Sequence, residues 1–512
     1  MASNITNVFV LMLENRSFDN LLGFSSITGT DAVTGQQTAV DGLTGKESNS
    51  YNGVAYTVSQ PADQTLPVDP GHEFADAVEQ LCGHGATYKS GGSYPPINNS
   101  GFVANFADST SDEEGKAPVQ DLAMIMRCYA PSQLPILNTL AREFAVCDRW
   151  FSSLPGPTWP NRFFAHAASS KGLDASPNPV TQIAVWDFLG LSFPNGTIFK
   201  ALDAKADLGN FRWRLYGPGK TTTITTALSG VNASDVKSLD NFAKDVQGSY
   251  PWLYTFIEPN YGDILNGSYS GGNSQHPMDG VTAGEALIKQ VYEAIRNSPL
   301  WETSLLIITW DEHGGFYDHV APPAAVAPGD TQPKTKPSDT GDEFGLNVNG
   351  FTFEQYGIRV PAVVVSPLVP KNTVDHRVYD HSSIPATLQA IYGLAPMTKR
   401  DAAANNVLPL LSLSSPRTDT PVTLPQPAQF GNVVTGTPVT AVALPESAPM
   451  PASQQGFVLL HAKHDLQTSP PTEHPAIMNR VSSIQTVGQA KQYMQEVGAK
   501  AATTPAGAQT GQ

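Results

Sequence analysis

A chain of 512 residues is too long for one simple core, and a formal net charge of −16 excludes a broad nucleic-acid-binding face. Its 40% apolar content can bury a large interior, yet no run approaches the ~18 consecutive apolar residues of a membrane-spanning helix. Three cysteines, Cys82, Cys128 and Cys147, form neither a CxxC nor a zinc spacing, leaving one disulfide or, more simply, buried free thiols.

In chain order, NVFVLML (7–13) is a near-continuous apolar run and predicts a strand buried on both faces, as in a parallel sheet. No basic or apolar leader precedes it, so the sequence as given carries no secretory signal. That places the protein in the cytoplasm or has it exported by a route not visible here. The run stops abruptly at Glu14 and Asn15. Residues 25–120, rich in Gly, Ser, Thr, Asn and Asp, read as an insertion over one end of the sheet. LPILNTLAREFAV (134–146) predicts a helix. In SSLPGPTWPNRFFAH (152–166), Gly156 and Pro157 make a tight turn, and Pro160 suits the first position of a helix. Thr158 should then present its hydroxyl at a helix N-terminus, where free N–H groups stabilise an anion. Its ordinary alternative is a capping threonine.

Residues 200–275 read as a second loop-rich insertion. The helical spacing of GEALIKQVYEAIRNSP (284–299) leads into a second buried strand, SLLIITW (304–310), and VPAVVVSPLV (360–369) predicts a third. This alternation argues for an α/β fold: a doubly wound, mostly parallel central sheet flanked by helices. From 411 to about 455 the composition turns to Ser, Thr, Pro and Val, which predicts an extended arm. A terminal helix near 485–500 should dock behind it. The expected organisation is a catalytic domain over 1–410 and a C-terminal arm and helix over 411–512 packed onto it.

Ligands of open α/β sheets sit beyond the carboxyl ends of the strands. Two of the predicted strands end in oxygen donors there. The first ends in Glu14 and Asn15. The second runs into WDEHGGFYDH, which supplies Asp311, Glu312, His313, Asp318 and His319. Donors converging from two strand ends would hold a hard divalent cation of unspecified identity. Otherwise Glu14 caps a helix and Asp311 pairs with an arginine. His72, His276 (with Asp279 close by) and His381 (beside Asp380) stand in polar turns. They matter only if those turns return to the strand ends.

VLMLENRSFDNLLG, DPGHEF, LAREFAVCDRWFSSLPGPTWPNR, TFIEP and WDEHGGFYDHV, taken together, resemble the phosphoesterase family of acid phosphatases and phosphatidylcholine-hydrolysing, non-specific phospholipases C, within the alkaline-phosphatase-like hydrolases. The resemblance runs in order from residue 7 to about 395. It implies Glu14 and Asn15 as metal ligands, Thr158 as nucleophile and metal ligand, and Asp311 and Glu312 as the acid pair, Asp311 the surer ligand. It implies His72 and His276 as the groups that contact phosphate or protonate the leaving group. One departure is Gln275, where His or Asp is expected. The implied reaction is metal-dependent phosphoric ester hydrolysis of phospholipase C type through a phosphothreonine. Acid phosphatase action on monoesters is the alternative, and a sulfatase-like or non-catalytic role ranks below both. The implied partners are a phospholipid or small phosphate ester and, for a lipid, a transient membrane-surface contact. The oligomeric state stays open.

Overall fold

In the computed structural model, residues 5–111, 121–186, 190–219, 221–330, 345–430 and 444–503 are described. Ten strands form one mixed sheet. At its centre, Asn7–Leu13 lies between Ser304–Trp310 and Tyr254–Ile257, parallel to both. All three are buried along their whole length, which is why their sequences are apolar without alternation. Trp213–Gly217 and Val236–Ser238 continue the sheet beyond Tyr254–Ile257, again in parallel.

The third expected strand is shorter, Ala362–Val365, between Pro361 and Pro367, and runs antiparallel to both its neighbours, Ser304–Trp310 and Ala145–Cys147. Its composition does not reveal this, because it too is buried on both faces and burial, not direction, sets the apolar run. Two other expected elements shift at their ends. The helix expected over 134–146 is Pro135–Glu143, and its last residues form the strand Ala145–Cys147. The helix expected over 284–299 is Thr282–Arg296.

The stretch from 25 onward is well structured where it is described; its residues 112–120 lie outside the described ones. Thr28–Asp31 and Gln37–Ala39 add two strands to the sheet edge, and Phe74–Cys82 and Phe102–Ser111 are helices. Residues 200–275 likewise supply three strands of the main sheet.

The C-terminal segment holds more helix than its sequence suggests. Residues 411–430 are extended and lie along helix Thr282–Arg296: Lys289 Nζ donates to the Leu424 carbonyl at 2.7 Å and the Tyr292 hydroxyl to that of Pro421 at 2.7 Å. The part of the expected arm from 431 to 443 falls outside the described residues. Three helices follow, Ala452–Thr468, His474–Ser482 and Val487–Thr503, where one was expected. The first has a weak amphipathic pattern because it is buried nearly all round. All three cysteines are free. Among the described residues no helix is long and apolar enough to cross a membrane.

Candidate active site

The register of the two central strands pairs Leu13 with Trp310, so Glu14 and Asp311 leave the sheet side by side. Asp311 N–H still donates to the Leu13 carbonyl at 3.3 Å, and Asn15 N–H turns to Asp311 Oδ1 at 3.0 Å. To make that turn Asn15 adopts a left-handed conformation, φ 54°. Gly314 (φ +64°) lets the second loop pass beneath it, since a Cβ there would fall 2.2 Å from the Asn15 carbonyl oxygen. The two strand ends therefore fit only with a glycine at 314.

The loop that leads into Thr158 is fixed by the side chain of Asn161. Its amide donates to the carbonyls of Gly156 (2.9 Å) and Pro157 (3.1 Å), and its oxygen accepts the Leu154 N–H at 3.2 Å. The helix begins at Thr158 itself, two residues earlier than Pro160 suggested. Pro160 fits because the first turn's N–H groups have no partners within the helix. Thr158 Oγ1 lies 3.3 Å from Asn15 Oδ1, which accepts its proton.

Glu14, Asn15, Thr158, His72 and His276 all line one cavity, with Pro157, Trp159, Ser176, Tyr269, Ser453 and Phe457. Asp311 and Glu312 are fully buried behind it. Asp311 does pair with an arginine, but a buried one: Arg162 Nε donates to its Oδ2 at 2.8 Å while Arg162 Nη2 donates to the Leu13 carbonyl at 2.9 Å. His381 holds the same strand end. Its Nε2–H donates to the Asp311 carbonyl at 2.6 Å and its Nδ1 accepts the Trp150 indole N–H at 3.3 Å. Burial keeps this imidazole neutral, lowered to about 4.

Glu312 Oε2 accepts the Gly314 N–H at 2.8 Å and lies 3.1 Å from His313 Nδ1. Its Oε1 is buried with no hydrogen-bond partner, and so is Glu14 Oε2. Burial, with the charge of nearby Asp311, raises the Glu14 carboxyl well above the ordinary range. Two orphaned carboxylate oxygens beside an amide oxygen and a hydroxyl make the donor set of a hard divalent cation, and the residues fit one.

His72 and His276 flank Asp69, whose Oδ1 lies 3.8 Å from His72 Nδ1 and 3.4 Å from His276 Nε2. His72 Nδ1–H donates to the Pro70 carbonyl at 2.7 Å. Desolvation opposes its charge, but Glu312, Asp69 and Glu73 outweigh it and raise His72 to about 10. The His276 ring stacks on Tyr269, with centroids 3.7 Å apart and planes 10° off parallel. Gln275 faces away from the cavity, where its oxygen accepts the Trp310 indole N–H at 2.9 Å and its amide donates to the Val281 carbonyl at 3.2 Å. The unexpected residue is thus structural, and only its backbone, at φ 74°, shapes the turn into His276.

Of the second strand's acidic tail, Asp318 and His319 go elsewhere, to a cluster with Asp19 that also has metal-ligand proximity. Sequence reasoning passed over Asp69 and Arg162, although both stand inside quoted motifs. It had no signal for Tyr269, Ser176, Ser453 or Phe457.

A helix-borne hydroxyl facing unpaired carboxylates and a cationic histidine suits transfer of an anionic phosphoryl group, and phosphoric ester hydrolysis is the class of reaction that this protein performs. The chain belongs to the phosphoesterase family, whose model matches residues 5–395. Its relatives include non-specific phospholipase C6 of Arabidopsis thaliana, 36% identical over 449 residues, covering 83% of this chain and 76% of that protein. Non-specific phospholipase C3 of the same plant is 34% identical over 455 residues, 85% and 79% of the two chains. Phospholipase C B of Mycobacterium tuberculosis is 26% identical over 497 residues, 88% and 87% of the two. A solved protein of the alkaline phosphatase superfamily from Vibrio parahaemolyticus aligns over 53% of this chain and 64% of that one, at 14% identity and a TM-score of 0.32.

Proposed function

We propose that this protein is a metal-dependent hydrolase of phospholipase C type that releases a phosphorylated head group through a phosphothreonine at Thr158. The observation that carries the reading is the Thr158 hydroxyl, held at a helix start 3.3 Å from Asn15 Oδ1 in a cavity that also exposes Glu14. Glu14, Asn15, Thr158, Asp311 and Glu312 would hold the cation, Asp311 while it also accepts from Arg162. When bound, the cation supplies Lewis-acid stabilisation and lowers the pKa of the threonine hydroxyl.

Thr158 Oγ1 attacks phosphorus in line, and the bond to the leaving oxygen breaks. The free N–H groups at the start of helix Thr158–Ala167 face the phosphoryl oxygens. His72, cationic at neutral pH and anchored through Nδ1, keeps Nε2 for a non-bridging oxygen. His276 protonates the leaving oxygen, and Tyr269 and Asp69 fix its ring. Water then attacks the phosphothreonine, and two displacements retain configuration at phosphorus. The described residues up to 410 form the catalytic unit, and the described residues beyond 410 pack against it.

The relatives named as phospholipases C favour a lipid substrate. The close walls of the cavity favour the second reading, a phosphatase for small monoesters. Turnover of a short-chain phosphatidylcholine against p-nitrophenyl phosphate separates the two. Acid quenching during turnover, followed by peptide mass spectrometry, should show phosphate on Thr158; turnover with no phosphopeptide at that residue would refute the mechanism. His276→Ala should damage an alkyl or lipid ester ~10²–10⁴-fold more than p-nitrophenyl phosphate, whose leaving group needs no proton. Equal losses on both would move the acid role away from His276.

A further inference from the structure

One wall of the cavity comes from beyond the family match, which ends at residue 395. Ser453 and Phe457 line the cavity together with Thr158, His72 and His276. They lie four residues apart on helix Ala452–Thr468 and so share one face. This helix is fastened on either side of that face. The Gln454 amide donates to the Ile264 carbonyl at 2.5 Å, and the buried Lys463 ammonium donates to the carbonyls of Thr226 (2.6 Å) and Val231 (2.8 Å). Between these anchors Gly456 lies against the indole that follows the nucleophile: a Cβ there would fall 2.1 Å from Trp159 Cε2. The Phe457 ring meets Trp159 edge to face at 5.3 Å and Tyr261 at 5.6 Å. Ser453 pairs with the phenol of Tyr269, the ring stacked on His276.

We propose that helix Ala452–Thr468 sets the substrate range of this site: Phe457 limits the size of the ester group that fits beside Thr158. The inference rests on the hydrolytic reading of the cavity. With Phe457 in place, its ring and that of Trp159 leave little space beside Thr158. Removing the ring opens the side next to Trp159, and bulkier diesters gain most.

The test compares kcat/KM for p-nitrophenyl phenyl phosphate and p-nitrophenyl phosphate in wild type, Phe457→Ala and Phe457→Leu. The diester-to-monoester ratio should rise at least tenfold in Phe457→Ala and stay within threefold in Phe457→Leu, which nearly conserves volume. An unchanged ratio in a Phe457→Ala protein that still melts cooperatively overturns the size role. Should that variant not fold, Phe457→Val replaces it, with an expected threefold rise and no rise counting against the proposal. A wild type that hydrolyses neither the p-nitrophenyl esters nor a short-chain phosphatidylcholine refutes the hydrolytic reading itself, whereas a wild type active on the p-nitrophenyl esters with immovable ratios refutes only the role of the helix.

Discussion

Two acidic clusters hang from the ends of the same two strands, and they are completed in opposite ways. Around Asp19, Asp318 and His319 every carboxylate oxygen has a donor. Arg359 gives Nη2 to Asp19 and Nε to Asp318, each at 2.9 Å. His319 gives its backbone N–H and its Nδ1–H to the other Asp19 oxygen, and N–H groups of Val320 and Asp19 complete Asp318. Around Glu14 and Glu312, one oxygen on each carboxylate has no donor. The first cluster has ligand atoms near enough to hold a metal, but it already contains a cation, the Arg359 guanidinium. Proximity of acids therefore does not by itself mark a metal site, because a buried guanidinium can already supply the opposing charge.

The contrast breaks most visibly at the nucleophile. Thr158→Ala should reduce turnover by ~10³-fold or more, because it removes the hydroxyl held at the helix start beside Asn15. Steady-state kinetics check it, and activity within about tenfold of wild type, ~1.4 kcal/mol in the barrier, would remove Thr158 from the chemistry. Next, Glu14→Ala and Glu312→Ala should each lose bound divalent metal and activity together, while Asp19→Asn keeps its metal. Elemental analysis of the purified variants decides; a full metal complement in Glu14→Ala would mean that its orphaned oxygen is only a packing defect.

The closed cluster should respond in stability instead. Arg359→Ala leaves Asp19 and Asp318 buried without their partner and should cost ~3–5 kcal/mol in urea unfolding, with metal content unchanged. A loss below ~1 kcal/mol would show that the two acids do not depend on the guanidinium. The smallest effect is a pH dependence. His319 is raised to about 10: desolvation lowers it, and hydrogen bonds to Asp19 and Asp41 overcome this. Because the folded value exceeds the ordinary 6.5, its stabilisation is full below that pH and is lost as pH rises through about 10. The melting temperature should therefore decline on the alkaline side, and His319→Gln should flatten that limb. An identical decline in the variant would assign it to another group.

Much of this contrast was hidden in the sequence. The three apolar runs showed the sheet's core because complete burial leaves a compositional mark, but the antiparallel direction of Ala362–Val365 leaves none. The residue types at 14, 15, 158, 311 and 312 indicated a cation site next to a hydroxyl. Their division of labour did not show, because it depends on where Arg162 and Arg359 insert their guanidinium groups, each from a distant segment. The same holds for Gln275, whose side chain points to Trp310 and not to the substrate. Helix Ala452–Thr468 was missed because its burial on nearly every side erases the periodicity by which a helix is recognised.

The position of Asn7–Leu13 has a consequence for the birth of the molecule. Both strands that flank it belong to residues 254–257 and 304–310, so the earliest strand to leave the ribosome has no neighbour until most of the catalytic unit exists. At ~5–20 residues per second that wait lasts tens of seconds. Throughout it, six consecutive apolar residues, Val8 to Leu13, with open backbone edges are available to other chains, as an aggregation seed or a chaperone client. Glu14 and Asn15 share the delay, so no ribosome-bound fragment shorter than about residue 312 can assemble the site.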